Sequence, residues 1–217
     1  MREYLYNNRK TIISMQKKNT IFQSIFADAW DKLPPVMHKH YANKPFSHDV
    51  VVADGKMDVS FGWFIRLLRP VLKITGALVP YEGQDIPVQV RFTSEPSSKA
   101  YCLERVFNFQ GRTPYRFFSR MIQIKDAEII EYMSSGIGWR HSYHYEAEKV
   151  MLRHKGYVWK VWGRTISLPI SWVLGRGYAE EIAISETMFR MKMTITHPLF
   201  GQIYEYRGVF EITGIQI

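Results

Sequence analysis

The sequence predicts an α+β protein dominated by antiparallel β-structure, either a curved sheet or a β-barrel, with two or three helices. Two observations lead to this prediction. From residue 86 onward most of the chain alternates apolar and polar residues, which is the pattern of strands with one buried face. Short turn-like segments join these strands, whereas parallel crossovers require a dozen or more connecting residues. A sheet of eight or more such strands tends to close, because closure removes exposed edges.

The predicted strands after residue 86 span 87–95, 100–109, 115–124, 128–134, 138–147, 149–154, 157–167, 181–197 and 202–213. Alternation is most regular in the last two, which place Met193 and Tyr206 on an inward face. An earlier hairpin is expected at residues 50–61, with its turn at Asp54-Gly55. A lipocalin-like barrel of this size can enclose one small ligand. A helix-grip-like arrangement fits the same pattern, but the long C-terminal helix of that fold is missing.

Helical spacing of apolar residues occurs in the first third of the chain. Thr20 is predicted to begin a helix, with Gln23 as its capping partner. A Pro-Pro pair ends that helix and begins a short second helix through residue 41. Residues 63–78 form a third helix, and residues 169–176 are expected to contain one further helical turn.

Residues 1–18 are polar and basic without a sustained period, and they are predicted to be a flexible basic leader, or an extension that precedes a natural start at Met15. Residues 19–217 are then a single β-rich domain. The only cysteine, Cys102, excludes an internal disulfide and fits a reducing compartment. No apolar run reaches the roughly 18–20 residues that cross a bilayer, and the N-terminus lacks the apolar segment of a secretion signal. A cytoplasmic location is expected.

The net charge of +9 allows an anionic partner, whether a membrane surface, a nucleic acid or an acidic substrate. The basic residues are scattered along the strands, which argues against nucleic-acid binding. The helix at residues 63–78 carries a stripe of three cations, Arg66, Arg69 and Lys73. It either covers the open side of the sheet, the favoured interpretation, or lies on a membrane surface with Trp63 at the boundary. In both cases it can gate access to a barrel.

No motif in the sequence indicates a cofactor or a metal. Gly136-Ile137-Gly138 lacks the third glycine and the following helix of a dinucleotide site, and no nucleophile elbow occurs. His38 and His40 do not share a helix face, and His141 and His144 fall on opposite faces of a strand. We therefore predict neither a cofactor nor a metal site.

Three acidic residues, Glu104, Glu131 and Glu181, lie within otherwise apolar strands, and Arg105 and Arg120 are their natural partners. A carboxylate among apolar side chains is costly unless it is paired or protonated. Such a group is either a structural ion pair or a polar anchor that orients a ligand in an apolar cavity. The predicted ligand-binding residues are Arg105, Ser119, Glu131, Glu181, His197, Tyr204 and Tyr206.

His197 precedes a proline at the end of a predicted strand. One interpretation is a turn histidine that bonds the backbone. The other is a general base or ligand contact at the mouth of the barrel.

Several segments resemble the family catalogued as domain of unknown function 4166, from about residue 21 to residue 212. The matching pieces are Leu33-Pro34-Pro35 with His40, Pro87-Val88, Arg91-Phe92, Glu104-Arg105-Val106-Phe107, Phe117 with Ser119, Glu131, Gly136 to Trp139, Leu168-Pro169, Ala179 with Glu181, and His197-Pro198-Leu199-Phe200-Gly201 with Tyr204, Tyr206 and Gly208. Members of the family stand alone in bacteria or form the C-terminal part of saccharopine-dehydrogenase-like oxidoreductases. The resemblance implies a bacterial protein with an oxidoreductase partner, and no established activity.

Three functional hypotheses follow from the sequence. The first is a binding domain for a small apolar or amphipathic molecule, motivated by inward faces rich in Met and aromatic residues. The second is an isomerase or hydrolase that uses Glu131 or Glu181 with His197 and Arg105, which requires these side chains to meet in one pocket. The third is a peripheral membrane protein, which requires exposed apolar surface on the helix at residues 63–78.

Overall fold

The computed structural model describes residues 19–217, and the predicted leader of residues 1–18 lies outside the described residues. The elements in chain order are α1 (Gln23–Phe26), a 3₁₀ helix (Ala27–Lys32), α2 (Pro35–His40), β1 (Val50–Phe61), α3 (Trp63–Thr75), β2 (Gly83–Ser94), β3 (Tyr101–Phe107), β4 (Tyr115–Lys125), β5 (Glu128–Met133), β6 (Ile137–Glu146), β7 (Lys149–Val161), β8 (Arg164–Leu168), α4 (Ser171–Leu174), β9 (Arg176–Ala183), β10 (Met188–His197) and β11 (Gly201–Gln216).

The strands form one antiparallel sheet in the order β6-β5-β4-β3-β2-β1-β11-β10-β9-β7-β8. Strand β6 also pairs with β7, and this pairing closes ten of the strands into a barrel. The predicted antiparallel barrel is therefore confirmed. The first part of β7 pairs with β9, while its last five residues pair with β8 instead. The β7–β8 hairpin thus continues beyond the barrel wall.

The two ends of the barrel are closed by different segments. At one end, residues 22–41, which we call the N-terminal plug, pack into the interior with the rings of Phe22 and Tyr41 4.3 Å apart. Phe22 also contacts the rings of Tyr101 on β3 and Tyr143 on β6. At the other end α3 follows β1 directly and ends at Gly76, which adopts the left-handed conformation that favours glycine.

The predicted first helix is shorter than expected. The hydroxyl of Thr20 accepts a hydrogen bond from the backbone N–H of Gln23 at 3.2 Å, as the capping pattern predicts. The α-helical conformation then ends at Ala27, whose φ of +46° does not continue a helix, and a 3₁₀ helix follows. The second and third helices, and the single turn of α4, occur where the sequence predicts them.

The hairpin predicted at residues 50–61 is wrong. Strand β1 runs through Asp54-Gly55 without a turn and pairs with β2 on one side and β11 on the other. A Cβ atom at Gly55 would collide with the carbonyl oxygen of Val209 and the ring of Phe210. The glycine is therefore required for the close approach of two strands, and not for chain reversal.

Two other strand boundaries are also corrected. Residues 149–154 and 157–167 are not separate strands, because β7 continues through a bulge at Lys155 and the chain reverses at Trp162-Gly163, whose φ angles are both positive. The strand predicted at residues 181–197 is two strands, β9 and β10. The amides of Ile184 and Ser185 bond the carbonyl of Met188 and form the turn between them.

Candidate functional site

The barrel encloses two adjoining cavities of about 190 Å³ and about 50 Å³. The larger cavity lies beneath α3 and has an almost entirely apolar lining. The smaller cavity lies toward the N-terminal plug and is partly lined by His40 and Tyr41. Glu131, Trp139 and Tyr206 belong to the walls of both cavities, so these side chains form the layer between them.

Three polar side chains from consecutive strands meet in this layer, and we call them the Arg105 cluster. Arg105 on β3 donates to Ser119 Oγ on β4 at 3.0 Å and to Glu131 Oε1 on β5 at 3.2 Å. Ser119 Oγ donates in turn to Glu131 Oε1 at 2.5 Å. The inward positions of three neighbouring strands place these residues together, and the two charged side chains are each only 7% exposed.

Arg105 carries its positive charge at neutral pH. Burial alone would lower the pKa of Arg105, but the neighbouring Tyr206 and Glu131 raise it. The guanidinium also lies 5.2 Å from the ring centroid of Phe117, a cation–π contact. The cluster therefore places a fixed, hydrogen-bonded charge pair in a setting that is otherwise apolar.

A second polar cluster, formed by His40, Tyr41 and Glu181, lines the smaller cavity. The hydroxyl of Tyr41 donates to Glu181 Oε2, and His40 Nε2 lies 3.6 Å from the same oxygen. Burial acts to raise the pKa of Glu181, but His40, the Tyr41 hydroxyl and the charge of Arg105 together lower it. Burial and the Glu181 charge raise the pKa of Tyr41, which keeps its proton. His40 Nδ1 is buried without a hydrogen-bond partner among the described residues.

The remaining predicted site residues lie in different settings. Burial raises the pKa of Tyr206 to about 12, so its hydroxyl stays neutral at the wall of both cavities. The hydroxyl of Tyr204 donates to the carbonyl oxygen of Val79, which anchors the segment after α3. His197 Nδ1 accepts from the amides of Leu199 and Phe200 at 3.1 and 3.3 Å.

Of the seven predicted binding residues, the structure therefore brings Arg105, Ser119, Glu131, Glu181 and Tyr206 to the barrel interior, where all but Ser119 line the smaller cavity. Tyr204 and His197 are buried outside the cavity walls. His197 has the contacts of a turn histidine, the first of its two interpretations. Binding of a ligand by these seven residues stays a prediction.

Arg105 pairs with one of the three acidic residues, Glu131, as predicted. The prediction for Arg120 is wrong, because it pairs with none of the three. Arg120 forms a bidentate salt bridge with Glu95 on the outer surface, and both hydrogen bonds are 2.7 Å long. Glu104 also faces outward, where it pairs with Arg116. Alternation explains this result, because Glu104 is adjacent to Arg105 and the two side chains must point to opposite faces.

A third histidine, His141, is buried in the barrel interior, although the sequence gives it no role beyond an unsuitable metal-ligand spacing. His141 lies on β6 between Trp139 and Tyr143, with ring centroids 4.3 and 5.4 Å away. Burial lowers its pKa to about 4, although the charge of Glu131 opposes this shift. Its Nε2 has no hydrogen-bond partner within residues 19–217.

Sequence reasoning also missed His40 and Trp139 as cavity residues. The sequence names His40 only in a histidine pair that shares no helix face and in the family resemblance, and two histidines in a six-residue helix give no periodic signal. Trp139 alternates with Gly138 on β6, so its inward position could have been found from alternation alone.

Within the described part of the chain, no group of three or more His, Cys, Asp or Glu side chains is arranged to hold a metal ion. No helix among the same residues combines the length and the apolar character needed to span a bilayer.

The fold and the site together define a class of protein, a closed antiparallel barrel whose interior holds an apolar cavity bordered by buried polar clusters. The chain belongs to the family described as Domain of unknown function (DUF4166), whose model matches residues 33–210. The match confirms the resemblance drawn from the sequence motifs. The oxidoreductase partner that the resemblance implies stays a prediction.

The solved structures that resemble this chain include two with weak similarity. One is to Rv2717c from M. tuberculosis, with 10% sequence identity, a TM-score of 0.40, and coverage of 87% of this chain and 99% of that chain. The other is to a candidate thioesterase II from Thermobifida fusca YX, with 8% identity, a TM-score of 0.25, and coverage of 76% and 79%. Similarities this weak carry no argument about function. No curated protein matches the chain.

Replacement of Glu131 by Leu is expected to lower the free energy of unfolding by about 3–5 kcal/mol, because the buried guanidinium of Arg105 loses its counter-charge. The double variant Arg105→Met/Glu131→Leu should recover much of this loss, since both charges are then removed. Urea denaturation measures the free energy of unfolding of both variants. The matched control on the same strand is Glu128→Gln, which breaks a more exposed pair with Arg140 and should cost about 1 kcal/mol or less. A double variant as unstable as Glu131→Leu would contradict the argument.

His141 is expected to make the protein less stable as the pH falls. Its folded pKa of about 4 lies below the ordinary value of 6.5, so between these pH values the unfolded chain binds a proton that the folded chain does not. The free energy of unfolding should then fall by about 1.4 kcal/mol per pH unit from this group. Urea denaturation at a series of pH values should show a shallower slope for His141→Gln and an unchanged slope for the exposed control His48→Gln. Equal slopes in all three proteins would refute the assignment.

Proposed function

We propose that this protein binds a small apolar or amphipathic molecule inside the barrel. The observation that carries the proposal is the larger cavity, whose volume of about 190 Å³ is bordered by apolar side chains from α3, α4 and the strands. Binding pockets for small molecules are mostly apolar and contain a few placed polar groups. Here two such groups, Glu131 and Tyr206, form part of the wall on the side of the smaller cavity.

The polarity of the cavity indicates how such a molecule would be oriented. Its apolar part would occupy the space beneath α3, against Leu68, Met193 and Ile195. A polar end would meet Tyr206, whose hydroxyl makes no hydrogen bond to the residues that the structure describes. The oxygens of Glu131 are already engaged by the Arg105 cluster, so Tyr206 is the more available partner.

Filling the larger cavity should abolish binding. The variant Ala77→Phe places a ring in the cavity wall, and it is expected to weaken binding of the fluorescent probe N-phenyl-1-naphthylamine by about tenfold or more, equivalent to about 1.4 kcal/mol. The control Ala127→Phe adds the same ring in the β4–β5 turn, outside both cavities, and should bind the probe as the original protein does. The measurement is a fluorescence titration, with native mass spectrometry of the purified protein to detect a retained molecule. Failure of the original protein to bind the probe or retain any molecule would overturn the proposal.

An enzyme that uses a Glu/His/Arg pocket is the second candidate, and one observation favours it. Arg105, Glu131 and Glu181 line the same small cavity. The enzyme hypothesis from the sequence combined these residues with His197, but in the structure the histidine beside Glu181 is His40. The lowered pKa of Glu181 keeps this carboxylate ionised, and an ionised carboxylate can accept a proton from an acidic C–H bond.

This second candidate predicts exchange of a ligand proton with solvent. The protein and the small molecule that co-purifies with it, incubated in D₂O, should accumulate deuterium in that molecule, and Glu181→Gln should stop the exchange. Glu180→Gln, which alters the adjacent outward-facing carboxylate, serves as the control. The absence of deuterium uptake with the original protein would eliminate the candidate.

A further inference from the structure

Large apolar side chains are exposed at the end of the barrel that holds the larger cavity, and we call them the apolar rim. The rim is formed by separate elements at the α3 end of the barrel. Its most exposed members are Leu67 (70%), Ile74 (87%), Trp162 (96%), Trp172 (73%) and Leu199 (82%), together with Trp63 on α3. Within the cation stripe of α3, Arg66 and Lys73 are exposed, whereas Arg69 is half-buried beside the ring of Tyr81. Leu67 on the same helix is exposed as well.

The rim and the cavity belong to the same elements. Helix α3 contributes Leu67 and Ile74 to the rim and Leu68 and Leu72 to the cavity wall. Helix α4 likewise contributes Trp172 to the rim and Leu174 to the wall. The rings of Trp63 and Phe200 lie 5.2 Å apart, which joins α3 to the β10–β11 turn that carries Leu199. A surface that covered the rim would therefore also cover the opening of the cavity.

The chain segments that carry the rim contain basic residues and no acidic residues. Residues 59–81 and 157–179 each contain three Lys or Arg residues and no Asp or Glu, and residues 187–204 contain no acidic residue either. Glu82, which follows the first of these segments, is paired with Arg66. Exposed tryptophan and leucine side chains with surrounding cations match the interface of a bilayer, where aromatic rings lie at the level of the head groups and basic residues attract anionic lipids.

We propose that the apolar rim docks on the surface of an anionic lipid bilayer and that the cavity receives its ligand from that bilayer. The docking itself rests on the rim and its charge, and the transfer of a ligand rests on the function proposed above. The bilayer fits the rim because three aromatic side chains on different elements, Trp63, Trp162 and Trp172, are exposed at the same end of the barrel, and exposed apolar side chains on this scale are otherwise unfavourable on a protein in water.

The test is co-sedimentation of the full chain with vesicles of phosphatidylcholine, with or without phosphatidylglycerol. We expect binding to the anionic vesicles, and weaker binding when the salt concentration rises from about 0.1 M to about 1 M, which shortens the screening length from about 10 Å to about 3 Å. The variant Leu67→Glu/Ile74→Glu should reduce partitioning by about tenfold or more, since it removes apolar contact and adds repulsion. Trp162→Ser tests a second element of the rim and should also weaken binding.

The matched control is Ile184→Glu, which places the same charge on an exposed isoleucine in the β9–β10 turn, at the plug end of the barrel. It should bind anionic vesicles as the original protein does. The docking is refuted if the original protein does not bind anionic vesicles, or if the rim variants bind them as well as the control does. It is also refuted if the original protein is a dimer in size-exclusion chromatography and the rim variants are monomers. The probe titration without vesicles separates the two proposals, because Leu67 and Ile74 do not line the cavity and their replacement should leave probe affinity unchanged.

Discussion

The pairing of β6 with β7 determines much of this structure. Without it the sheet would be an open, twisted array with two free edges, and with it ten strands form a ring. A ring of eight strands has an interior that side chains can just fill, and the diameter grows with the number of strands. A ten-stranded barrel therefore has more interior space than its inward side chains occupy. The N-terminal plug fills this space at one end, and the two cavities remain in the rest.

The same closure explains why the buried polar side chains must find hydrogen-bond partners inside the barrel. Once the ring is closed, inward residues on β3, β4 and β5 have no access to bulk water, so Arg105 and Glu131 must satisfy one another. Glu181 is satisfied differently, by Tyr41 and His40 from the plug. The plug thus contributes polar partners as well as apolar volume. The carboxylates of both clusters are thus paired internally, whereas His40 Nδ1 has no partner among the described residues and Tyr206 lines both cavities with its hydroxyl neutral.

The sequence predicts this architecture well because alternation reports burial on one face, and nearly every strand of the barrel has one face toward the interior. It predicts the inward position of Glu131 for the same reason. It fails where a glycine serves a purpose other than chain reversal, since Gly55 permits a close approach of two strands and Gly156 follows the bulge at Lys155. It also misses His40 as a cavity residue, because its position depends on how the N-terminal plug returns to the interior, and single-sequence periodicity carries no such long-range information.

The register of the closed ring has a consequence for how the chain folds. Strand β1 lies beside β11, with Val50 opposite Gln216, and the hydrogen bond between Tyr41 and Glu181 joins residues 140 positions apart. Contacts so distant in sequence require the loss of much chain entropy before they form, and folding rates fall as such contacts become dominant. The barrel can close only after β11 has been synthesised, and until then β1 presents an unpaired edge to other chains. Protection of that edge during synthesis is a requirement that this topology imposes on the cell.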